Sequence, residues 1–442
     1  MGKTLRDKCP RTGHAVWQPP SNRAAPLDLL IESSKGRIPQ LIPIRYGRMM
    51  QSPFTFYRGA ALNMAADLAS TPNTGLRVQA CGDAHLLNFG AYATPERRVI
   101  FDLNDLDETL PAPWEWDVKR LAVSFTLACR NNRFSAAVAR DSTLACVRSY
   151  REAMAQFSDM RTLDVWYATL DFQRIIPQIE DAEIRKRAEK ILAKARHRNV
   201  VEHDFPQLVT TAGLRPEIKE NPPLIYHWRE HGQTEFTANV EQAFARYRET
   251  LEEDRRLLLD RFKLLDIAIK VVGVGSVGTW CAIALMMARE DDPLFLQIKE
   301  ARRSVLEDYA GKSIHANHGQ RVVAGCRLMQ SASDLFLGWT ESQLGRHFYV
   351  RQLRDMKIKM PVEVYTSSVM RQYAEACGWT LARAHARSGE PAKISGYLGK
   401  SDAFDQAIAD FSIAYADQSE RDHEALMKAV RAGQLEVFIE RE

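Results

Sequence analysis

The sequence predicts an α+β protein in two lobes, on three observations. Strand-like runs between residues 76 and 103 lead into a dense set of carboxylates. Further runs between residues 269 and 299 frame a glycine-rich turn, VVGVGSVGTW. Most of the remaining chain carries apolar residues at helical spacing, so the coarse order is helical, then mixed and β-containing, then helical again.

Taken in order, residues 1–50 read as an extension punctuated by Pro19, Pro20, Pro26, Pro39 and Pro43, with one short helix around Leu27–Glu32. Residues 51–132 hold a helical pattern from Pro53 to Leu68, strands at Leu76–Ala80 and Arg98–Leu103, and a buried helix at Trp114–Asn131. Residues 133–265 read as predominantly helical, with charged amphipathic helices at Asp181–Asn199 and Glu235–Leu265 and a loop-rich break from Pro206 to Pro223. Residues 266–360 regain strand character at Ile269–Val274, Trp280–Met287 and Leu294–Lys299. Residues 361–442 are helical, at Ser368–Arg387 and Asp402–Ala432.

The 442-residue chain is 45% hydrophobic and 26% charged, which fits a folded globular protein rather than a disordered one. Sixty basic against 56 acidic residues leave a formal charge of +4, too small an excess for nucleic acid or an anionic membrane. The seven scattered cysteines form no CxxC pair and suggest free thiols in a reducing compartment. Cys9 and His14 lack the partners that a metal site needs. No apolar leader is visible, and Trp280–Ala288 is far short of the ~20 residues that span a bilayer. The expected location is the cytoplasm.

The strongest chemical signal is CGDAHLLNFGAYATPERRVIFDLNDLDET. Asp83 and Asn88 follow one strand, and Asp102, Asp105, Asp107 and Glu108 follow or end the next. Six such side chains repel one another unless a cation neutralises them, and Mg²⁺ takes oxygen ligands of this kind together with phosphate and water. His85 reads as a packed side chain that orients the loop. In VVGVGSVGTW, Gly273, Gly275 and Gly278 form a GxGxxG pattern that serves several folds. It fits a turn between two strands closing over ATP phosphates, with Lys299 on the phosphates and Glu307 or Glu300 as its ion-pair partner. It also fits an NAD(P) fold, with a helix beginning after the turn and Glu300 near the ribose. The acidic cluster favours the first.

GDAHLLN resembles the catalytic loop of aminoglycoside and choline kinases, HGDxHxxN, and more distantly that of protein kinases. IFDLND is similar to the IDFxD that follows it, and PWEWDVKRLA to the helix start after that. The resemblance implies Asp83 as the base facing an acceptor hydroxyl, Asn88 and Asp102 as Mg²⁺ ligands with Asp105 as a further one, and Asp117 as a brace for the loop. Cys81 and Asn104 depart from the pattern. The glycine turn and Lys299 follow the catalytic loop instead of preceding it, and YAEACGWTLARAHARSG resembles the helix that normally leads into that loop. The implied architecture is a circularly permuted, two-lobed protein-kinase-like fold with a large helical insertion. Its partners would be ATP with Mg²⁺ and an unidentified acceptor, a small molecule or a protein; the sequence does not specify an oligomeric state. Over nearly its whole length the chain also resembles an uncharacterised bacterial family, domain of unknown function 2252, through RYGRMMQSPFTFYRGAA, CGDAHLLNFG, VGVGSVGT and DPLFLQIKEA. That family name supplies no activity.

Overall fold

The helix Trp114–Asn131 is buried on every side except at its last two residues. A helix so enclosed belongs in the centre of a helical body. Around it pack the helices Ala136–Asp159, Ser367–Ser388 and Ala403–Arg431. The computed structural model describes residues 2–179, 182–197, 205–210, 215–228, 233–289, 292–353, 358 and 360–440. The helix expected at Asp181–Asn199 is present as Ala182–His197; Asp181, Arg198 and Asn199 lie outside the described residues.

The first strands of the chain are β1 (Arg77–Ala80), β2 (Phe89–Ala93), β3 (Val99–Leu103) and β4 (Leu110–Pro113). β1 pairs with β4, while β2 and β3 form a hairpin extended by β5 (Leu170–Asp171), all antiparallel. β6 (Val209–Thr210) and β7 (Glu217–Ile218) make a small ladder of their own. The remaining strands are β8 (Ile225–Tyr226), β9 (Lys263–Lys270), β10 (Cys281–Met287), β11 (Pro293–Glu300), β12 (Gly338–Glu341) and β13 (His347–Gln352). They form one antiparallel sheet in the order β12-β13-β11-β10-β9-β8. Alternation along β10 serves two cores: Ala284 and Met286 join Tyr247, Leu296 and Val350, whereas Ile283, Leu285 and Met287 join Ala268, Ile218 and Phe295.

The architecture is thus α+β with antiparallel sheets. The two strands after the glycine turn appear where the sequence placed them, at Cys281–Met287 and Pro293–Glu300. The strand before it is Lys263–Lys270 rather than Ile269–Val274, so residues 271–274 belong to the turn, and no helix begins at Thr279. That removes the strand–turn–helix geometry and the parallel sheet which an NAD(P) fold requires. Two further expectations are corrected. The single helix expected at Glu235–Leu265 is two, Gln233–Glu249 and Glu253–Leu259, followed by β9. Tyr247 and Leu251 must both enter the core of the sheet, and the chain turns at extended Glu252 to let them. Residues 1–50 are no loose extension. Arg6 and Arg11 donate to the Tyr397 and Leu398 carbonyls at 2.8 and 2.6 Å, and Arg23 bridges Asp67 and Asp422. His14 is buried with its Nε2 2.8 Å from the Tyr397 hydroxyl, and Trp17 packs on Tyr415. Among the described residues no helix is long and apolar enough to cross a membrane.

Candidate active site

The loop after β1 is fixed from below by the central helix. Gly82 has φ +81°, and a Cβ there would lie 2.5 Å from the Glu108 carbonyl oxygen, so the position requires glycine. Asp117, in the first turn of Trp114–Asn131, accepts the Cys81 and Gly82 N–H groups at 2.6 and 3.0 Å. His385 Nε2 sits 3.1 Å from the same carboxylate, and its Nδ1 lies 2.8 Å from the Tyr150 hydroxyl. Tyr373 donates to the Leu86 carbonyl at 2.6 Å. The helix Ser367–Ser388 therefore lies beneath the Asp83 loop, and Asp117 braces that loop through two backbone bonds.

Asp83 and Asn88 line a cleft of about 910 Å³. Asp83 Oδ1 accepts from Arg120 Nε at 2.6 Å, while Oδ2 lies 3.9 Å from His85 Nε2. Arg120 is buried, with its guanidinium 4.5 Å from the Tyr57 ring centroid. Burial pushes His85 down to about 4, so its ring is neutral at neutral pH. Asn88 Nδ2 donates to the Asp83 carbonyl at 2.7 Å, which leaves Oδ1 as the atom available to a ligand.

The next acidic residues leave the end of β3 and meet Lys299 on β11. Lys299 Nζ is 3.2 Å from Asp105 Oδ2 and 2.7 Å from Asp107 Oδ2. Tyr349 also donates to Asp107, at 2.5 Å. Burial raises the Asp105 carboxyl, but the charges of Lys299 and Arg351 outweigh it and hold the group well below the usual range. Asp107 is pushed up by burial and by the charge of Asp105 beside it. Glu108 is likewise raised by burial, although it accepts the Val305 N–H at 2.8 Å. Arg321, buried on the helix His318–Met329, donates to the carbonyls of Asp107 and Thr109 at 2.8 and 2.6 Å. It fixes the acidic turn to the sheet.

The glycine turn closes the cleft from the other side. Gly273 and Gly275 line it, and Ser276 Oγ approaches Asp107 Oδ2 to 3.4 Å. Gly278, at φ +85°, does not line the cleft; it packs on Arg37, whose guanidinium donates to the Val277 carbonyl at 2.6 Å. Leu87, Phe89, Ile358 and Met360 supply an apolar wall.

Three expected roles are not met by this geometry. Asp102, within β3, points to the helix below: its carboxylate pairs with buried Arg383 and accepts from the Ser331 N–H and hydroxyl at 2.7 and 2.6 Å. It does not line the cleft, because only after the strand ends can the chain turn a carboxylate outward, as it does at Asp105. Glu307 is buried but pairs with Arg303 at 3.3 Å, not with Lys299. Glu300 is held by Arg346 at 2.7 Å and by the Trp280 N–H at 3.0 Å. The partners of Lys299 are Asp105 and Asp107. Among the described residues no three His, Cys, Asp or Glu side chains form a group that could hold a metal. The oxygens nearest to such a role are Asn88 Oδ1 and the Asp105 carboxylate, a set that suits a hard cation completing its shell with phosphate and water. Sequence reasoning missed Arg120 and Arg321; the signal for the first was its place three residues after Asp117, on a helix read as buried, in WEWDVKRLAVSF.

The family model for uncharacterized proteins conserved in bacteria, DUF2252, matches residues 37–429. The chain belongs to this family. The matched span takes in the cleft residues from Arg37 to Glu363 and the helices beneath them; of the cleft lining, Glu32 and Ser33 precede it. No curated protein and no solved structure matched the chain.

Proposed function

We propose that the protein is a Mg²⁺-ATP-dependent phosphotransferase on a circularly permuted kinase-like fold. One observation carries the reading. Asp105 lines the cleft that also holds Asp83, Asn88, Gly273 and Gly275. It is ion-paired to Lys299, 194 residues away in sequence, which is buried and does not itself line the cleft. Phosphoryl transfer depends chiefly on positioning and charge neutralisation, which demands that these groups meet whatever their order in the chain. The antiparallel strands around Gly273–Gly278 and the helix Ser367–Ser388 under the catalytic loop also support the permuted order. Residues 43 and 438 are joined by a backbone hydrogen bond of 3.0 Å, the proximity of early and late chain that permutation favours.

In this mechanism the apolar wall receives the base of ATP and the amides of the glycine turn face its phosphates. Asn88 Oδ1 and Asp105 would hold Mg²⁺, which when bound neutralises phosphate charge. Arg120 holds Asp83 through Oδ1 and so orients it, with Oδ2 turned to the acceptor. Asp83 takes the proton of the acceptor hydroxyl as that oxygen bonds to the γ-phosphorus. The bond to the β-phosphate oxygen breaks, and ADP leaves. The test is incubation of the purified protein with γ-labelled ATP, Mg²⁺ and a panel of small hydroxyl compounds, read by mass spectrometry. Label transfer that disappears in Asp83→Asn supports the reading. Transfer of the adenylyl group instead would make the enzyme a nucleotidyltransferase, and ATP binding with no turnover of any acceptor would make it a silent binding protein.

A further inference from the structure

Three arginines converge on one residue of the cleft wall. Arg37 Nε donates to the Ser33 carbonyl at 2.9 Å, an Arg302 amino group reaches the same carbonyl at 3.3 Å, and Arg45 donates to the Ser33 hydroxyl at 2.9 Å. All three line the cleft. Their remaining bonds go to carbonyls and hydroxyls only, and among the described residues none lies within ion-pair distance of a carboxylate. Arg45 is fully buried, and its Nε has no partner at all. Like charges so placed repel one another: burial lowers the affinity of Arg37 and Arg45 for their protons, and each is lowered further by Arg302. Glu108 and Glu300 offset part of this at Arg37 from a distance, but neither reaches it. Arg58 lines the same cleft, with an unpartnered Nε and its carbonyl 3.4 Å from where a Gly275 side chain would start. Buried cations are ordinarily paired directly, so a guanidinium cluster with no carboxylate in contact, opening into a cavity, calls for an anion. Several planar donors arriving from different elements match a phosphate better than a carboxylate, which one arginine can grip in a single plane.

We infer that the Arg37, Arg45 and Arg302 pocket binds a phosphate group on the acceptor, so that the substrate is a phosphorylated compound presenting a free hydroxyl toward Asp83. The assignment to the acceptor rests on the phosphotransferase reading; the anion site itself does not. The arginines share the cleft with the apolar wall of Leu87, Phe89, Ile358 and Met360, and they adjoin the end of the glycine turn through the bond from Arg37 to the Val277 carbonyl.

The experiment is titration of the full chain with inorganic phosphate, followed by calorimetry and thermal shift, then with Mg²⁺-ATP in the presence and absence of saturating phosphate. Wild type should bind phosphate saturably, Arg302→Gln should weaken it at least tenfold, and Arg302→Lys should recover part of the loss. Mg²⁺-ATP should bind Arg302→Gln as it binds wild type, and phosphate should not compete with it. Absence of phosphate binding by wild type overturns the proposal. So does competition between phosphate and ATP, or parallel loss of both in Arg302→Gln, because the arginines would then serve the nucleotide. If wild type binds phosphate but no nucleotide, the anion site stands and the phosphotransferase reading falls. Arg302 is half-exposed, so its variants test the pocket without emptying the core.

Discussion

Replacing Lys299 by methionine removes one buried cation from between two carboxylates. Lys299 is 3% exposed, whereas Asp105 and Asp107 keep 32% and 25% of their side-chain surface. Deleting one partner of a fully buried pair costs about 3–5 kcal/mol. Water reaching the two carboxylates from the cleft discounts that to about 2–3 kcal/mol at pH 7. The pH dependence fixes the cause. In the wild type Asp105 is depressed, so its contribution is present above the unfolded carboxylate value and is lost only as the pH falls through its low folded value. In Lys299→Met both carboxyls are raised by burial and by each other, so their cost is present above their folded values and is relieved as they protonate. Urea unfolding followed by tryptophan fluorescence should therefore show a deficit at pH 7 that narrows as the pH falls toward about 4.5. A variant as stable as wild type, or a deficit independent of pH, would refute the ion-pair account of this turn.

Three further outcomes follow from the same geometry. Asp102→Ala, which strands buried Arg383, should lose about 3–5 kcal/mol in urea unfolding. Asp105→Asn, which leaves Lys299 paired with Asp107, should lose less, about 1–2 kcal/mol, together with its Mg²⁺-dependent nucleotide affinity; Mg²⁺-dependent affinity lost in Asp102→Ala and kept in Asp105→Asn would restore Asp102 to the metal. His227 is raised to about 9 by its bond to Asp266 at 3.0 Å, offset in part by burial and aided by Glu220 at 2.8 Å. Its contribution is full below about pH 6.5 and lost as pH rises through about 9, so His227→Gln should cost about 1–2 kcal/mol at pH 6 and almost nothing at pH 10 in chemical unfolding. Gly82→Ala, with a left-handed φ and a backbone oxygen 2.5 Å from the new Cβ, should destabilise by about 3 kcal/mol and displace Asp83; a neutral change in thermal unfolding would contradict the fixed loop.

The elements that dominate the fold were legible because their periodicity is long and unbroken. Trp114–Asn131 matches its expected limits, and Ser367–Ser388 and Ala403–Arg431 lie within one residue of theirs. The two strands after the glycine turn were legible from the short apolar runs CAIALMM and LFLQIK. The one before it was not, because the expected helix Glu235–Leu265 was carried over its first residues. The limits of the expected insertion were not. Ala136–Asp159 packs on Ser367–Ser388 and is part of the helical body, a tertiary contact that no local pattern records. At the site, the residue types were readable but the facing was not. Asp102 and Asp105 differ by three positions in one short acidic run, yet one turns to Arg383 and the other to Lys299. Which way a carboxylate points depends on where β3 ends, and a sequence blurs such boundaries by a few residues. The arginine pocket was invisible for a different reason: Arg302 lies more than 250 residues after Arg37 and Arg45, and no spacing in the sequence records that they meet at Ser33.

The central claim is that Asp105, Asn88 and the glycine turn together bind a nucleotide with its metal, and calorimetry tests it most directly. Wild type, Asp105→Asn and Asn88→Ala are each titrated with ATP, once with Mg²⁺ and once with a chelator, and with NADH as the contrast. The account predicts saturable binding of Mg²⁺-ATP to wild type, at least tenfold weaker binding with chelator or in either variant, and no binding of NADH. Wild type that binds no ATP, or binds it equally with and without Mg²⁺, would contradict it.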